Sequence, residues 1–315
     1  MLPIQIKNFS SDQYFQINWM LHDKCTYACG YCPPSNHAGT DNWLNLEKVI
    51  STCDNIKSQV SPAKKVQILF SGGEPTVWKN FANLADHLYK ENWSLNIITN
   101  LSRSEEWWKE LDVQWDQISA SLHPEFSDIE SFIKKCHIIN SKSKSLLIRV
   151  MLHPDQLLFK KAISWAYKIK KECPYAFIEW IPIIYEFGGS VIPLSPYTTS
   201  QIELMSKLRP GAAIAKKIET SNQKSVIWDS GIEERLNAQF LVKNNLNTFN
   251  NWTCNAGLDG VFIDSKGYIF RGTCLQGDSL GNIQDGFVTL PSESVMCEKK
   301  VCECITDIYY SKIKN

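Results

Sequence analysis

Cys25-Thr26-Tyr27-Ala28-Cys29-Gly30-Tyr31-Cys32 puts three thiols within eight residues. Cysteines this close along a chain seldom reach the Cα and Cβ separations that a disulfide requires. The spacing suits a compact loop that aims three thiolates at one metal centre. A four-coordinate zinc ion would want a fourth ligand, which His22 or His37 could supply. A cubane of four irons held by three cysteines would leave one iron open to a cofactor or substrate. A second stretch, Phe70-Ser71-Gly72-Gly73-Glu74-Pro75, sets a glycine turn and an acid at the end of an apolar run. A third group gathers five of the eleven cysteines near the end: Cys254, Cys274, Cys297, Cys302 and Cys304. The first two flank Val261-Phe262-Ile263-Asp264 and Tyr268-Ile269-Phe270, a β-hairpin with Gly267 at its turn. The ends of a hairpin lie close together, so Cys254 and Cys274 can reach one metal. Cys302-Glu303-Cys304 then completes four sulfur ligands, with Cys297 as the less favoured candidate. A structural zinc on four cysteines is the alternative.

The elements that must position these residues are legible as alternating strands and helices. Strands are expected at 15–21, 65–70, 94–100, 117–122, 145–152 and 175–184, and helices at 45–60, 81–92, 105–110, 129–140 and 157–172. Such alternation means parallel βα units. Six strands are too few for a closed eight-stranded barrel, so the expected fold class is α/β, a partial (β/α)6 barrel. Ligands in such sheets sit at the carboxyl ends of the strands. The cysteine loop, Gly72-Gly73-Glu74-Pro75, Asn100, Ser121, His123 and Arg149 all fall at or near those ends. The expected domains are the barrel at 1–190, a helical bridge at 191–250 and a cysteine-rich unit at 251–315. Within the bridge, 187–196 should lead out of the barrel, with helices at 198–209 and 233–243.

Composition excludes several function classes. Lys plus Arg and Asp plus Glu are 33 each, so no basic surplus points to nucleic acid. No uncharged apolar run reaches the roughly 20 residues of a membrane helix, and the start lacks a signal-peptide layout. Cysteines without an export signal point to metal rather than disulfides, and to the cytoplasm. Cys53, Cys136 and Cys173 read as buried small apolar residues. His22, His37, His87, His137 and His153 read as structural, as do Trp78, Trp107, Trp108 and Trp115.

Cys25, Cys29 and Cys32, with an aromatic residue before the last, followed by the Gly-Gly-Glu-Pro turn, resemble the signature of the radical S-adenosylmethionine (radical SAM) superfamily. The resemblance implies a [4Fe–4S] cluster on the three thiolates, with S-adenosylmethionine on the open iron. Reductive cleavage would then give methionine and a 5′-deoxyadenosyl radical. It further implies cofactor contacts from Tyr31, Gly72, Gly73, Glu74, Pro75, Asn100, Ser121 and Arg149. Glu74 would accept from the methionine ammonium, and the two glycines would admit the cofactor against the backbone. The terminal cysteines are similar to the shortened auxiliary-cluster (twitch) domain after some radical SAM barrels, which implies a second [4Fe–4S] cluster on Cys254, Cys274, Cys302 and Cys304.

The resemblance implies hydrogen abstraction from a small metabolite or a peptide, for dehydrogenation, other oxidation or cross-linking. The second cluster would accept an electron, and an external donor such as flavodoxin or ferredoxin would supply one. Neither nucleic acid nor a membrane is an expected partner. The catalytic candidates are His123, for substrate binding or proton relay, and Cys297, as a hydrogen donor in the alternative of a radical epimerase or rearrangement enzyme. The alternative of another class is a non-catalytic iron–sulfur or zinc module.

Overall fold

The computed structural model describes residues 1–8, 12–40, 43–183, 196–208, 224–236, 238–302 and 304–315. The chain divides into two compact units. One comprises Met1–Trp19, Leu44–Ile68 and Lys217–Asn315; the other comprises Met20–Trp43 and Leu69–Lys216.

The (βα) alternation is present. The strands β2 (Tyr14–His22), β3 (Lys65–Gly72), β4 (Ser94–Thr99), β5 (Gln117–Leu122), β6 (Leu146–Leu152) and β7 (Phe177–Pro182) lie side by side in chain order. Neighbours from β4 to β7 are parallel. Helices α1 (Leu46–Gln59), α2 (Phe81–Lys90), α3 (Glu105–Glu110), α4 (Ile129–Asn140) and α5 (Gln156–Glu172) fall between them. The starts of four of them are fixed by side chains that accept otherwise unpartnered N–H groups: Asn45, Ser104, Asp128 and Asp155. β3 alternates buried and half-buried residues, whereas β5 is buried almost throughout, as a strand covered on both faces must be. Phe70, Phe81 and Trp115 pack together behind this sheet; the Phe70 and Trp115 ring centres lie 5.3 and 6.1 Å from that of Phe81. Trp78, Trp108 and Trp115 are buried, as are Cys53, Cys136 and Cys173.

The unit that holds both ends of the described chain is built differently. A six-stranded antiparallel sheet runs in the order β14 (Val295–Met296), β10 (Trp252–Cys254), β15 (Lys312–Lys314), β1 (Pro3–Lys7), β8 (Lys224–Trp228) and β9 (Glu233–Leu236). Ile6, Val226, Phe249, Trp252 and Tyr310 fill its core, together with Cys254, Cys297 and Cys302. The expected hairpin is β11 (Gly260–Ile263) with β12 (Tyr268–Phe270), and the short β13 (Gly281–Asn282) pairs with β12 in turn. β11 also pairs in parallel with β2, Gly260 opposite Gln16, so the sheet is mixed.

The expected helix at 233–243 is corrected in part. Glu233–Leu236 is a strand paired with β8, and the helix α7 is confined to Ala238–Lys243. Glu-Glu-Arg-Leu favours a helix locally, but the turn at Gly231 (φ 80°) returns the chain alongside β8, and cross-strand pairing overrides propensity. The stretch 191–250, expected as a helical bridge, therefore contributes a β-hairpin. The helix expected at 198–209 is α6 (Thr199–Leu208). Of the expected 187–196 connection, 187–195 lie outside the described residues. Among the described residues no helix is long and apolar enough to cross a membrane.

Candidate functional site

The cysteine loop leaves β2 at His22 and is tied to the end of β3 by backbone hydrogen bonds. Gly73 N donates to His22 O and Glu74 N to Lys24 O, both at 2.8 Å. A Cβ on Gly73 would stand 2.0 Å from Lys24 O, and one on Gly72 would stand 2.4 Å from His22 O. Gly72 also has φ 111°, a left-handed conformation that costs a side-chain-bearing residue. The close neighbour that these glycines admit here is the chain's own backbone.

Glu74 is wholly buried. Its Oε1 accepts from Thr76 N, Thr76 Oγ1 and Thr99 Oγ1 at 3.2, 2.7 and 2.8 Å, and its Oε2 accepts from Asn100 N at 2.6 Å. The carboxylate thus locks the β3 turn to the end of β4. Asn100 carries the connection onward, its Nδ2 donating to Thr26 Oγ1 at 3.0 Å and to Cys25 Sγ at 3.5 Å. Tyr27 N is a second donor to Cys25 Sγ, at 3.4 Å. Pro75 is buried and opens the short helical turn after Glu74.

Cys29 is buried, and Cys25 and Cys32 are half-buried. Burial raises all three thiols, Cys29 to about 12, so a metal must displace three protons on binding. Tyr31 and His123 share a hydrogen bond through Oη and Nδ1 and stack with ring centres 6.1 Å apart. Cys29 Sγ lies 3.5 Å from the same nitrogen. Burial, then Arg149, lowers His123 to about 4, so its ring is neutral. Ser121, Arg149 and Glu179 are cross-strand neighbours on β5, β6 and β7, and Arg149 Nε donates to Glu179 at 3.2 Å.

Every residue proposed from sequence for the first site therefore lies in one unit. Sequence reasoning did not single out Thr76, Glu179 or Glu125, whose carboxylate accepts from Gly30 N at 3.3 Å. The contacts of Glu179 and Glu125 join segments far apart in sequence, and no spacing along the chain encodes them.

Residues 19–135 match the family model described as Radical SAM superfamily. The chain is 34% identical over 86 residues to an S-adenosylmethionine-dependent nucleotide dehydratase of Selenomonas ruminantium, covering 27% of this chain and 30% of that protein. It is 31% identical over 100 residues to an Fe-coproporphyrin III synthase of Methanosarcina barkeri (strain Fusaro / DSM 804), covering 31% and 24%. The chain thus spans less than a third of the length of these curated relatives. A solved structure, tagged anSMEcpe with bound AdoMet, shares the fold at TM-score 0.51 and 18% identity, over 87% of this chain and 75% of that one.

Downstream of the matched stretch, Cys254, Cys297 and Cys302 are buried and Cys274 and Cys304 half-buried. Asp307, on helix α8 (Ile305–Ile308), accepts from Thr273 N and Cys274 N at 3.0 and 2.7 Å and so fixes the Cys274 turn. Burial raises Cys254, Cys274 and Cys302, Cys274 to about 12, and charge on Cys254 is felt by the other two. Cys297 lies beside Cys254 in the core, while Cys304 Sγ is 2.8 Å from Thr306 Oγ1. Among the described residues no three acids, imidazoles or thiols converge tightly enough for a single metal ion. A four-iron cluster spreads its thiolates farther apart than one ion does, and both sulfur sets suit such a cluster in donor chemistry.

Proposed function

We propose that the protein is a radical SAM enzyme that carries a [4Fe–4S] cluster on Cys25, Cys29 and Cys32 and removes a hydrogen atom from a substrate C–H bond. When bound, the cluster and S-adenosylmethionine supply an electron and a hydrogen-abstracting 5′-deoxyadenosyl radical. The observation that carries this reading is the seam between the three-thiol loop and the Gly72-Gly73-Glu74 turn, within a stretch that matches the superfamily. Asn100 and Tyr27 direct N–H groups at Cys25 Sγ, where they would stabilise a thiolate. Tyr31, Ser121 and Arg149 lie on the same unit and would orient the cofactor or substrate, with Glu179 fixing Arg149.

A second cluster belongs on Cys254, Cys274 and Cys302, completed by Cys304 or Cys297. Its role is to take the second electron in an oxidation, dehydrogenation or cross-linking of a small metabolite or peptide. Epimerisation by Cys297 has less support, because a hydrogen-donating thiol must reach the substrate and Cys297 is 7% exposed within an apolar core. The match to a nucleotide dehydratase favours a nucleotide as a further candidate substrate.

Anaerobic reconstitution tests the reading. The wild type should hold about eight irons, and the Cys25→Ala/Cys29→Ala/Cys32→Ala variant about four. The reduced wild type should cleave S-adenosylmethionine, and that variant should not. Cys254→Ala/Cys274→Ala should retain some uncoupled cleavage. Equal cleavage by both variants would overturn the assignment of the first site.

A further inference from the structure

The six-stranded sheet contains a lysine in a row that is otherwise apolar or thiol. On β15, Lys312 stands opposite Cys254 of β10 on one side and Ile6 of β1 on the other. Cys254 in turn faces Val295 of β14, and Ile6 faces Val226 of β8. Cross-strand partners project from the same face of a sheet, so these five side chains form one row. Ile6, Val226 and Cys254 belong to the core, and Lys312 is itself only 4% exposed.

The ammonium donates to the backbone carbonyls of Asp307 and Tyr310. It also lies 5.2 Å from the ring centre of Phe249 and 5.8 Å from that of Tyr310. Carbonyls and rings solvate a cation without neutralising it. The acid nearest along the chain, Asp307, commits its carboxylate to the N–H groups of Thr273 and Cys274. A methionine of similar length would fill the row without desolvating a charge, and apolar replacements of buried ions are often neutral or stabilising. Among the described residues the ammonium is held by carbonyls and rings rather than by a carboxylate, which leaves it able to balance an added anion. Two further groups point the same way: among the described residues, the hydroxyls of Tyr310 and Thr273 are buried without a hydrogen-bond partner. Thr273 adjoins Cys274, and Tyr310 lies within electrostatic reach of Cys254, Cys274 and Cys304. An ammonium and a hydroxyl from one segment, and a second hydroxyl from another, thus lie near one group of thiols.

We propose that Lys312 is the counter-cation of an anionic iron–sulfur centre held by Cys254, Cys274 and Cys302, and that its charge sets the potential of that centre. This rests on the second-cluster reading above and goes beyond it in naming the residue that tunes the site. Reduction adds a negative charge to a cluster, so an adjacent cation favours the reduced state and raises the potential.

The test uses the full chain in the Cys25→Ala/Cys29→Ala/Cys32→Ala background, where the second centre stands alone. Parent, Lys312→Met and Lys312→Arg are reconstituted with iron and sulfide, assayed for metal and titrated redoxically with detection by electron paramagnetic resonance. The expected result is a midpoint for Lys312→Met more negative than the parent's, with most of the shift recovered in Lys312→Arg. Failure of Lys312→Met to take up iron, with Lys312→Arg loading normally, supports the same role. Unchanged midpoints at equal iron content overturn the role of Lys312 and leave the second cluster standing. A parent that binds zinc or no metal overturns both. Circular dichroism of the apo-proteins checks folding, and if Lys312→Met fails that check the same shift is required of Lys312→Gln.

Discussion

Glu74 shows how one side chain can hold a site together without surface exposure. Its carboxylate faces four donors, two from backbone and two from threonine hydroxyls, and an ionised carboxylate is the acceptor-only group that satisfies them all. Glu74→Gln sets an NH₂ group against one of those donors. We expect it to lower stability by about 2 kcal/mol and to reduce iron loading at the first site, both measurable by denaturant titration and metal assay. Unchanged stability would count against the role given to these contacts. The motif itself was legible in the sequence, but its closure was not, because Thr99 and Asn100 meet Glu74 only once β3 and β4 are adjacent. His22 gives a pH-dependent case. Its Nδ1 accepts from Lys24 N at 3.1 Å, and burial lowers its pKa. The folded state then binds fewer protons than the unfolded one, so stability falls as pH drops below about 6.5. Melting temperatures between about pH 7 and pH 5 should therefore fall more for the wild type than for His22→Leu.

Among elements, the seam between the loop after β2 and the end of β3 depends on two residues having no side chain. Gly73→Ala would push a methyl into the Lys24 carbonyl and part the strand end from the loop. We expect a loss of about 3 kcal/mol or more and little iron at the first site, read by thermal melting and metal content of the reconstituted protein. Near-wild-type loading would show that the seam is not needed. Strand and helix positions in the (βα) stretch were legible because each segment repeats its apolar residues with its own period. Glu233–Leu236 was not. Four charged or helix-favouring residues became a strand because β8 lay alongside to pair with them, and Trp228 Nε1 donates to Glu234 at 2.8 Å across that pair.

At the scale of the whole molecule, the division into units follows contacts between distant parts of the chain. β1, α1 and the adjoining parts of β2 and β3 group with the terminal cysteines, which are far from them in sequence. Strands of two to five residues carry no periodic signal, and β1 pairs with partners hundreds of positions away, which is why the six-stranded sheet is not legible in the sequence. β15 sits between β1 and β10. A chain ended at Ser311 would deprive both of a partner and remove Lys312. We expect it to be insoluble or to melt far below the wild type, and a soluble protein with an unaltered melting temperature would contradict the pairing. The placement of β15 also imposes an order on biogenesis. Its neighbour β1 leaves the ribosome long before it, and the two cannot pair until translation has passed Lys314. Domains tend to fold as they emerge. The nascent chain can therefore shape the first thiol loop while the second set of cysteines is still incomplete, so that on the two-cluster proposal the two sets would be loaded at different times.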